Sequence, residues 1–287
     1  MDTEKCRVLL DVLESGSLTL AAERLGYTTS GVSRVIAALE KDAGFSLLIR
    51  GRSGVHPTES CRQLLPVMQE LVRCAERWQQ TADQLRGLER GSIAVGTAYN
   101  AYFPWLAQLT AAFGARYPGI RVRLVEGTST ALVEQMERGE VDFAVISHRE
   151  GRFRWHPIRQ DQLVAWVHEG HPAALAGSFA VESLRVEPYI ELYPGQESDN
   201  SRMLQQYGIV PNTRHTTGDV SAAYAMVEAG LGVAMVNSLC LDGRSGAVVS
   251  VPLDPPHWVE IGVAIPDERL ISPAAECFAE FAETFEP

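Results

Sequence analysis

The residues with the clearest chemical potential are four polar side chains that share one face of a predicted helix. A helical period places Thr29, Ser30, Ser33 and Arg34 together on that face. Short hydroxyls and one guanidinium can enter a groove and hydrogen-bond to base edges and phosphates, where thicker side chains would be blocked. We therefore expect this helix to read nucleic acid, with Thr28 at its start as the N-cap.

Two short helices joined by a tight turn must position this face. The first helix lies between Ser17, which is placed to cap it, and Gly26, which is placed to end it. The second helix has an apolar face formed by Val32, Ile36 and Leu39. This arrangement is typical of a helix-turn-helix whose second helix lies in the major groove of DNA.

A short β-hairpin is predicted after the second helix. Residues 47–49 and 55–56 indicate two strands around a turn at residues 51–54, which makes the motif a winged variant. Arg50 and Arg52 flank the turn and can meet phosphate or the minor groove. The alternative for each arginine is a solvated loop residue, and the sequence does not separate the two interpretations.

A long helix begins at Thr58-Glu59 and carries an apolar seam. Successive seam positions are separated by alternating steps of four and three residues, which is a heptad pattern. The seam consists of Leu64, Met68, Leu71, Ala75, Trp78, Ala82 and Leu85. Because polar residues flank the seam, we expect it to pair with the same helix of a second subunit. The alternative is that the helix packs on its own domain.

Composition and charge define the broad class of the chain. It has 287 residues, 46% of them apolar and 21% charged, which fits two or three globular domains. The net charge is −11, but residues 1–90 carry 12 basic and 12 acidic side chains, so the acidic excess lies in residues 91–287. Residues 24–62 form only a modest basic patch, and we expect DNA affinity to rely on dimerisation and repeated half-sites.

The cysteines and the N-terminal residues argue against several classes of protein. The five cysteines are scattered, without a CxxC or Cys/His cluster, so we expect reduced thiols and no metal site. Charged residues near the N-terminus replace the apolar run of a signal peptide, and no segment is apolar for long enough to span a bilayer. The sequence therefore predicts a soluble cytoplasmic protein.

Residues 91–287 alternate predicted strands and helices, which is typical of parallel sheets covered by helices. Two such sets, connected near Leu163 and again near Ile265, predict two lobes with a cleft between them. The predicted domains are a DNA-binding domain (1–60), a linker helix for dimerisation (61–90) and a two-lobed ligand-binding domain (91–287). Its first lobe comprises residues 91–162 plus 266–287, and its second lobe comprises residues 163–265.

Candidate ligand contacts follow the carboxyl ends of the predicted strands, where open α/β sheets bind ligands beside helix N-termini. Four such stretches converge on the predicted cleft. Their candidate residues are Thr97, Tyr99, Asn100, Thr128, Ser129, Ser147, His148, Tyr193, Ser198 and Thr217. The alternative for each serine or threonine is a helix cap that makes no ligand contact.

The chemistry of the ligand is only partly constrained. Glu197, Asp199 and Asp219 oppose an anion, and no arginine falls clearly among the candidate positions. We expect a small polar organic molecule, and an aromatic one is compatible with the aromatic residues Tyr99, Tyr102, Trp105 and Tyr193, although Trp105 fits the core better. Because no Ser or Cys nucleophile with a base and an orienting acid is evident, we expect no catalytic residues and no enzyme activity.

The segment AAERLGYTTSGVSRVIAALEKDAGFSLLIR, residues 21–50, resembles the N-terminal signature of LysR-type transcriptional regulators. The resemblance continues through the wing, the linker helix and the ligand-binding domain. It implies an α/β chain with an all-α-like winged helix-turn-helix N-terminal domain and a two-lobed type II periplasmic-binding-protein-like C-terminal domain. Within the cleft it most nearly implies effector contacts at Asn100, Thr128, Ser147, Ser198 and Thr217.

The resemblance also implies a function and partners. The expected function is transcription regulation, in which a small-molecule effector in the cleft controls operator binding or activation, without a cofactor. The expected partners are double-stranded operator DNA, the effector and further copies of the chain in a dimer or tetramer, with RNA polymerase as a further candidate. The alternative is a two-lobed small-molecule-binding protein or enzyme with an N-terminal interaction domain that does not bind DNA. The winged motif and the heptad helix favour the first hypothesis.

Overall fold

The computed structural model of the chain describes residues 2–51, 54–85, 90–241, 246–266 and 271–285. The chain forms two compact units, Met1–Arg90 and Gly91–Pro287. The elements of the first unit are α1 (Thr3–Ser15), α2 (Leu18–Leu25), α3 (Thr29–Ala43), β1 (Leu48–Gly51), β2 (Gly54–Pro57) and α4 (Glu59–Leu85).

The caps predicted for the helix-turn-helix are confirmed. The side chain of Ser17 accepts a hydrogen bond from the Leu20 amide at the start of α2, and Thr28 accepts one from the Gly31 amide at the start of α3. Gly26 ends α2 with a φ of 70°, a left-handed conformation that favours glycine. These local signals fix the tight turn that sets α3 against α2.

The core of the first unit forms between α1, α2, α3 and the N-terminal half of α4. The predicted apolar face of α3 is buried at Val32, Ile36 and Leu39. This face packs in one cluster with Leu9 of α1 and Met68 of α4. Since polar residues of α3 lie on the opposite side, burial of the apolar face leaves the polar face in solvent.

The hairpin of β1 and β2 is antiparallel, with Leu48 opposite Pro57. The amide of Val55 donates a hydrogen bond of 2.9 Å to the carbonyl of Gly16, which ties the hairpin to the turn between α1 and α2. Gly54 has a φ of 107°, and a Cβ at this position would lie 2.9 Å from the Gly16 carbonyl oxygen. Only glycine therefore fits both the backbone conformation and the close approach.

The second unit contains nine strands and six α-helices among its described residues. They are β3 (Gly91–Thr97), α5 (Phe103–Arg116), β4 (Ile120–Glu126), α6 (Ser129–Glu137), β5 (Phe143–Ser147), β6 (Phe153–His168), α7 (Pro172–Ala176), β7 (Phe179–Ala180), β8 (Tyr189–Leu192), α8 (Asp199–Gln206), β9 (Thr213–Thr217), α9 (Val220–Glu228), β10 (Val233–Asn237), β11 (Val248–Pro266) and α10 (Pro273–Thr284). Short 3-10 helices lie at Asn100–Tyr102, Val181–Arg185 and Ser238–Leu241.

The strands of this unit differ from the predicted pair of parallel sheets. Eight of them form one path in the order β4-β3-β5-β11-β6-β10-β8-β9, and β7 pairs with β11. The inner strands of each lobe are parallel, as expected, but β6 and β11 run antiparallel to each other from one lobe into the other. Strand β6 begins at Phe153, ten residues before the predicted start at Leu163. The two lobes therefore share one mixed sheet.

Each lobe covers its part of the sheet with helices on both faces. In the second lobe Ala165 and Met235 belong to one apolar cluster, while their neighbours Trp166 and Ala234 belong to the cluster on the opposite face. This alternation is the period of two that a strand buried on both sides requires. No helix in the described ranges is long and apolar enough to cross a membrane.

Candidate functional sites

The polar face of α3 is open to solvent, as its sequence predicts. Thr29, Ser30 and Arg34 are exposed, and Ser33 is half-buried. Thr28 is exposed too, but its hydroxyl already caps α3 by accepting from the Gly31 amide at 3.1 Å. The face therefore offers three hydroxyls and one guanidinium to a groove, while Thr28 sets the start of the helix.

The hairpin places a second guanidinium beside this face. A nitrogen of the Arg50 guanidinium lies 3.5 Å from the hydroxyl oxygen of Ser33. Arg52 lies outside the described residues. Sequence analysis did not single out Tyr27, whose ring is 41% exposed and lies against Gly31 at the start of α3. The sequence signal that could have identified it is an aromatic residue directly before the cap of a helix with a polar first turn.

The apolar seam of α4 is divided between two environments. Met68 is 2% exposed and belongs to the core of its own unit, and Leu64 and Leu71 pack against the same cluster. Ala75 is half-buried, whereas Trp78 is 69% exposed. The side chain of Leu85 lies outside the described residues. The alternative of packing on its own domain thus holds for the first part of the seam, and Trp78 leaves a large apolar side chain available further along.

A cavity of about 50 Å³ lies between the lobes of the second unit. Both lobes contribute to its lining, and six of the ten predicted contacts take part: Tyr99, Asn100, Thr128, Ser129, Tyr193 and Ser198. In this arrangement the cavity has room for only a few water molecules. A larger ligand would need the two lobes to move apart.

The four other candidates lie elsewhere. Thr97 is fully buried, and its hydroxyl is used in hydrogen bonds with the backbone of Tyr99. The Thr217 hydroxyl accepts from the Asp219 amide at 3.1 Å, and this residue does not line the cavity. Ser147 and His148 line a second cavity of about 460 Å³, which shares Asp199 with the first.

Two of the hydroxyls in the cavity also cap helices. Thr128 accepts from the Ala131 amide at the start of α6, and Ser198 forms a capping box with Ser201 at the start of α8. Both functions are compatible, because a hydroxyl oxygen that accepts from an amide can still donate its own proton. The two helix starts therefore bring polar groups of both lobes to the cavity.

The expectation that no arginine lies among the cleft residues is wrong. Arg149, two residues beyond the end of β5, has a side chain that is only 6% exposed. Its guanidinium donates to the hydroxyl of Ser147 at 2.7 Å and to the hydroxyl of Thr130 at 3.0 Å. The sequence shows an arginine just past a strand end in a charged stretch, which is typical of solvent exposure, and nothing local to it indicates burial.

The carboxylate of Asp199 is the group that buries this arginine. It lies 2.8 Å from the Arg149 guanidinium, and its own side chain is 9% exposed. It also accepts from the hydroxyl of Tyr99 at 2.9 Å and from the hydroxyl of Ser147. Asp199 begins α8 in the second lobe, whereas its three partners belong to the first lobe, so these bonds bridge the cleft.

Two tyrosines at the cavity have altered acidities. Burial raises the pKa of Tyr99 well above its usual value, and the neighbouring Asp199 charge acts in the same direction. Burial also raises the pKa of Tyr193 to about 12, with a further contribution from Glu126. Both phenols are therefore neutral hydrogen-bond donors at physiological pH.

Tyr193 and Asn237 add two further features to the cavity. Tyr193 has a φ of 56°, the only positive φ of a non-glycine residue in the described part of the chain. Strain of this kind is often found at ligand sites. The side-chain nitrogen of Asn237 is buried without a hydrogen-bond partner among the described residues, and Asn237 lines the cavity. It is a donor that sequence analysis missed and that a ligand oxygen can satisfy.

The other aromatic candidates lie outside this cavity. Trp105 lines a separate cavity of about 580 Å³ in the first lobe, together with Phe278 of α10. Tyr102 packs edge-on against Tyr99, with ring centroids 6.4 Å apart. The described residues contain no cluster of three or more His, Cys, Asp or Glu side chains that could hold a metal ion.

Comparisons with known proteins match the whole described architecture. Residues 3–62 match the family model of bacterial regulatory helix-turn-helix proteins of the lysR family, and residues 86–286 match the model of the LysR substrate binding domain. An uncharacterized HTH-type transcriptional regulator of Bacillus subtilis, YvbU, is 27% identical over 286 residues, which covers 99% of this chain and 98% of the relative.

Two solved structures show the same fold along nearly the full length. A full-length OxyR variant from Pseudomonas aeruginosa has a TM-score of 0.68 at 18% identity, covering 99% of this chain and 95% of that one. Full-length CbnR in complex with its target DNA has a TM-score of 0.61 at 22% identity, covering 99% of both chains.

Proposed function

The chain belongs to the LysR family of transcriptional regulators, and on this premise we propose which of its residues read the operator, hold the effector and join the subunits. The family is one of regulators with a DNA-binding helix-turn-helix and an effector-binding domain. The alternative of a binding protein or enzyme whose N-terminal unit does not bind DNA has no support, because the family models cover both units.

We propose that α3 reads the operator in the major groove. The observation that carries this proposal is the solvent-exposed face of Thr29, Ser30 and Arg34 beside half-buried Ser33, opposite a fully packed apolar face. Arg50 would contact phosphate next to this face, and Arg52, which lies outside the described residues, is assigned to the same role from the sequence alone. Thr28 would act mainly as the cap that directs α3.

The effector is proposed to bind between the lobes of the second unit. Support comes from six predicted residues that line the cavity and follow different strands in both lobes. The side-chain nitrogen of Asn237, which has no hydrogen-bond partner among the described residues, gives further support. An effector there can change operator binding only by its difference in affinity between two arrangements of the lobes. Coupling of this kind typically amounts to about 1–3 kcal/mol.

The protein is proposed to act as a dimer or tetramer in the cytoplasm, with contact to RNA polymerase at the promoter. Support for self-association comes from Trp78, whose large apolar side chain is 69% exposed on the same seam as the buried Met68. Dimerisation would also place two reading helices on successive half-sites, which compensates for the modest basic charge of the first unit.

A gel shift with the full chain and the DNA that flanks its own gene tests the proposed operator contacts. We expect retardation of that fragment at protein concentrations that leave an unrelated fragment of equal length free. Footprinting of the retarded complex should show protection at two half-sites separated by about one or more helical turns. Equal retardation of both fragments would contradict sequence-specific reading by α3.

A further inference from the structure

The first lobe contains a complete binding site for a carboxylate. Tyr99, Ser147 and Arg149 direct a phenol, a hydroxyl and a guanidinium at one point between the lobes. The Arg149 guanidinium is 6% exposed and is oriented by Thr130, which accepts from its Nε at 3.0 Å. A buried, oriented guanidinium with two hydroxyl donors is the arrangement that recognises an anion through charge-assisted hydrogen bonds.

This site is occupied by a residue of the same chain. The side chain of Asp199 reaches it from the second lobe, and both of its carboxylate oxygens accept hydrogen bonds there. Asp199 is not needed to cap α8, because Ser198 and Ser201 form the capping box of that helix. The carboxylate therefore serves the contact across the cleft.

The remaining charge near the cavity is acidic as well. Glu126 and Asp219 both lie close enough to Tyr193 to raise the pKa of its phenol. The basic side chains nearby are paired, since Arg149 binds Asp199 and Arg202 binds Glu197 at 2.8 Å. An anionic ligand in the cavity would consequently meet the carboxylate of Asp199 in the lining and no cation among the lining residues, with Glu126 and Asp219 adding negative charge from outside the lining.

We propose that Asp199 is a built-in occupant of the anion site formed by Tyr99, Ser147 and Arg149, so that this cleft selects neutral or cationic effectors and rejects carboxylates. This inference rests on the proposed effector cleft and specifies the chemical class of its ligand. A free carboxylate must compete with one that is tethered to the same domain, whose effective concentration is on the order of millimolar or higher.

Chemical rescue with formate tests this assignment. Asp199→Ala removes the internal carboxylate and leaves a space of the size of formate beside Arg149. Melting temperatures of the full chain are measured in sodium formate and in sodium chloride of equal ionic strength. We expect formate to raise the melting temperature of Asp199→Ala by roughly 3–5 °C for each tenfold excess over its dissociation constant. The wild-type protein should show no difference between the two salts.

Three control variants make the result specific. Asp199→Asn keeps the volume of the side chain and should exclude formate. Asp219→Ala removes a carboxylate from another helix start, where Asp219 accepts only from the backbone amides of Ser221 and Ala222, and it should not respond. Combining Asp199→Ala with Arg149→Met should abolish the rescue. If Asp199→Ala does not fold, Asp199→Gly with acetate provides the same comparison in a larger space.

Two outcomes would overturn the proposal. Either acetate and formate stabilise no variant, or they stabilise the wild-type protein as much as the Asp199 variants. The measurement uses no DNA and no effector, so it can fail while the gel shift succeeds. Conversely, a successful rescue together with an absent gel shift would leave the anion site intact and contradict the operator assignment.

Discussion

The guanidinium of Arg50, in the hairpin, lies 3.5 Å from the hydroxyl oxygen of Ser33, in the reading helix. The contact joins the two parts of the first unit that we assign to DNA. Because the two side chains share this contact, their substitutions should not act independently. In operator binding we expect Ser33→Ala and Arg50→Ala to show a coupling energy of about 0.5–3 kcal/mol in a double-mutant cycle. Strict additivity would show that the two side chains contact DNA separately.

Arg34→Ala should weaken operator binding by about 1–3 kcal/mol, because the exposed guanidinium contacts DNA directly. A contact to a base and a contact to a phosphate would change operator binding in different ways. Loss of a base contact should relax specificity at one base pair, whereas loss of a phosphate contact should weaken all sequences alike and reduce the salt dependence. Quantitative gel shifts on a set of single-base variants separate the two. Arg7→Ala, which replaces an arginine that is ion-paired with Glu4 and Glu76, is the matched control.

The divided seam of α4 predicts opposite effects for two of its residues. Trp78→Glu should leave the melting temperature of the first unit nearly unchanged, since the ring is 69% exposed, but should reduce the mass seen by light scattering. Met68→Ala should lower the free energy of unfolding by about 2–5 kcal/mol, because it opens a cavity in the apolar core of the first unit. If Trp78→Glu retains the wild-type mass, the exposed part of the seam is not a subunit interface.

Thr128→Met should abolish the response to an effector identified by a thermal-shift screen of metabolites. The longer side chain fills a cavity of only about 50 Å³. Thr128 also caps α6, so the same substitution should cost about 1 kcal/mol of stability. Thr128→Ser keeps the capping oxygen and leaves the cavity open, and it should respond like the wild type. A full response with an unchanged midpoint in Thr128→Met would place the effector elsewhere.

His257 predicts a pH dependence of stability. Burial lowers the pKa of its imidazole below the usual 6.5, and the nearby Asp199 charge acts in the opposite direction. Between the lowered value and 6.5 the unfolded chain binds more protons than the folded one, so stability should fall as the pH falls through this window. Melting temperatures measured from about pH 7 to 5 should decline less steeply in His257→Gln than in the wild type. An equal decline would assign the effect to another group.

Sequence reasoning succeeded where the deciding interactions are local. Ser17, Gly26 and Thr28 cap or end helices through atoms within a few residues of themselves, and all three were predicted correctly. The continuous apolar runs of the second lobe, at residues 163–167 and 233–236, likewise indicate strands that are covered on both faces. The family-model matches agree with these local signals over residues 3–62 and 86–286.

The features that sequence reasoning missed depend on distant residues. Arg149 is buried by Asp199, fifty residues further along the chain, and no local pattern around either residue indicates the pairing. The start of β6 was missed because residues 153–160 are largely exposed and polar, so they lack the apolar alternation of a buried strand. In α4 the heptad spacing shows which side chains form a seam, but it does not show which partner covers Met68.

Strands β6 and β11 pair with each other in both lobes. Their antiparallel pairing extends from Val248 opposite His168 to Pro266 opposite Phe153, with two register shifts on the way. Because both lobes share these two strands, unfolding of one lobe would break backbone hydrogen bonds that continue into the other. The described part of the second unit should consequently behave as one cooperative folding unit, with a single calorimetric transition and matched hydrogen-exchange protection in both lobes. A substitution at the cleft, such as the loss of Asp199, should then lower the melting temperature of both lobes together.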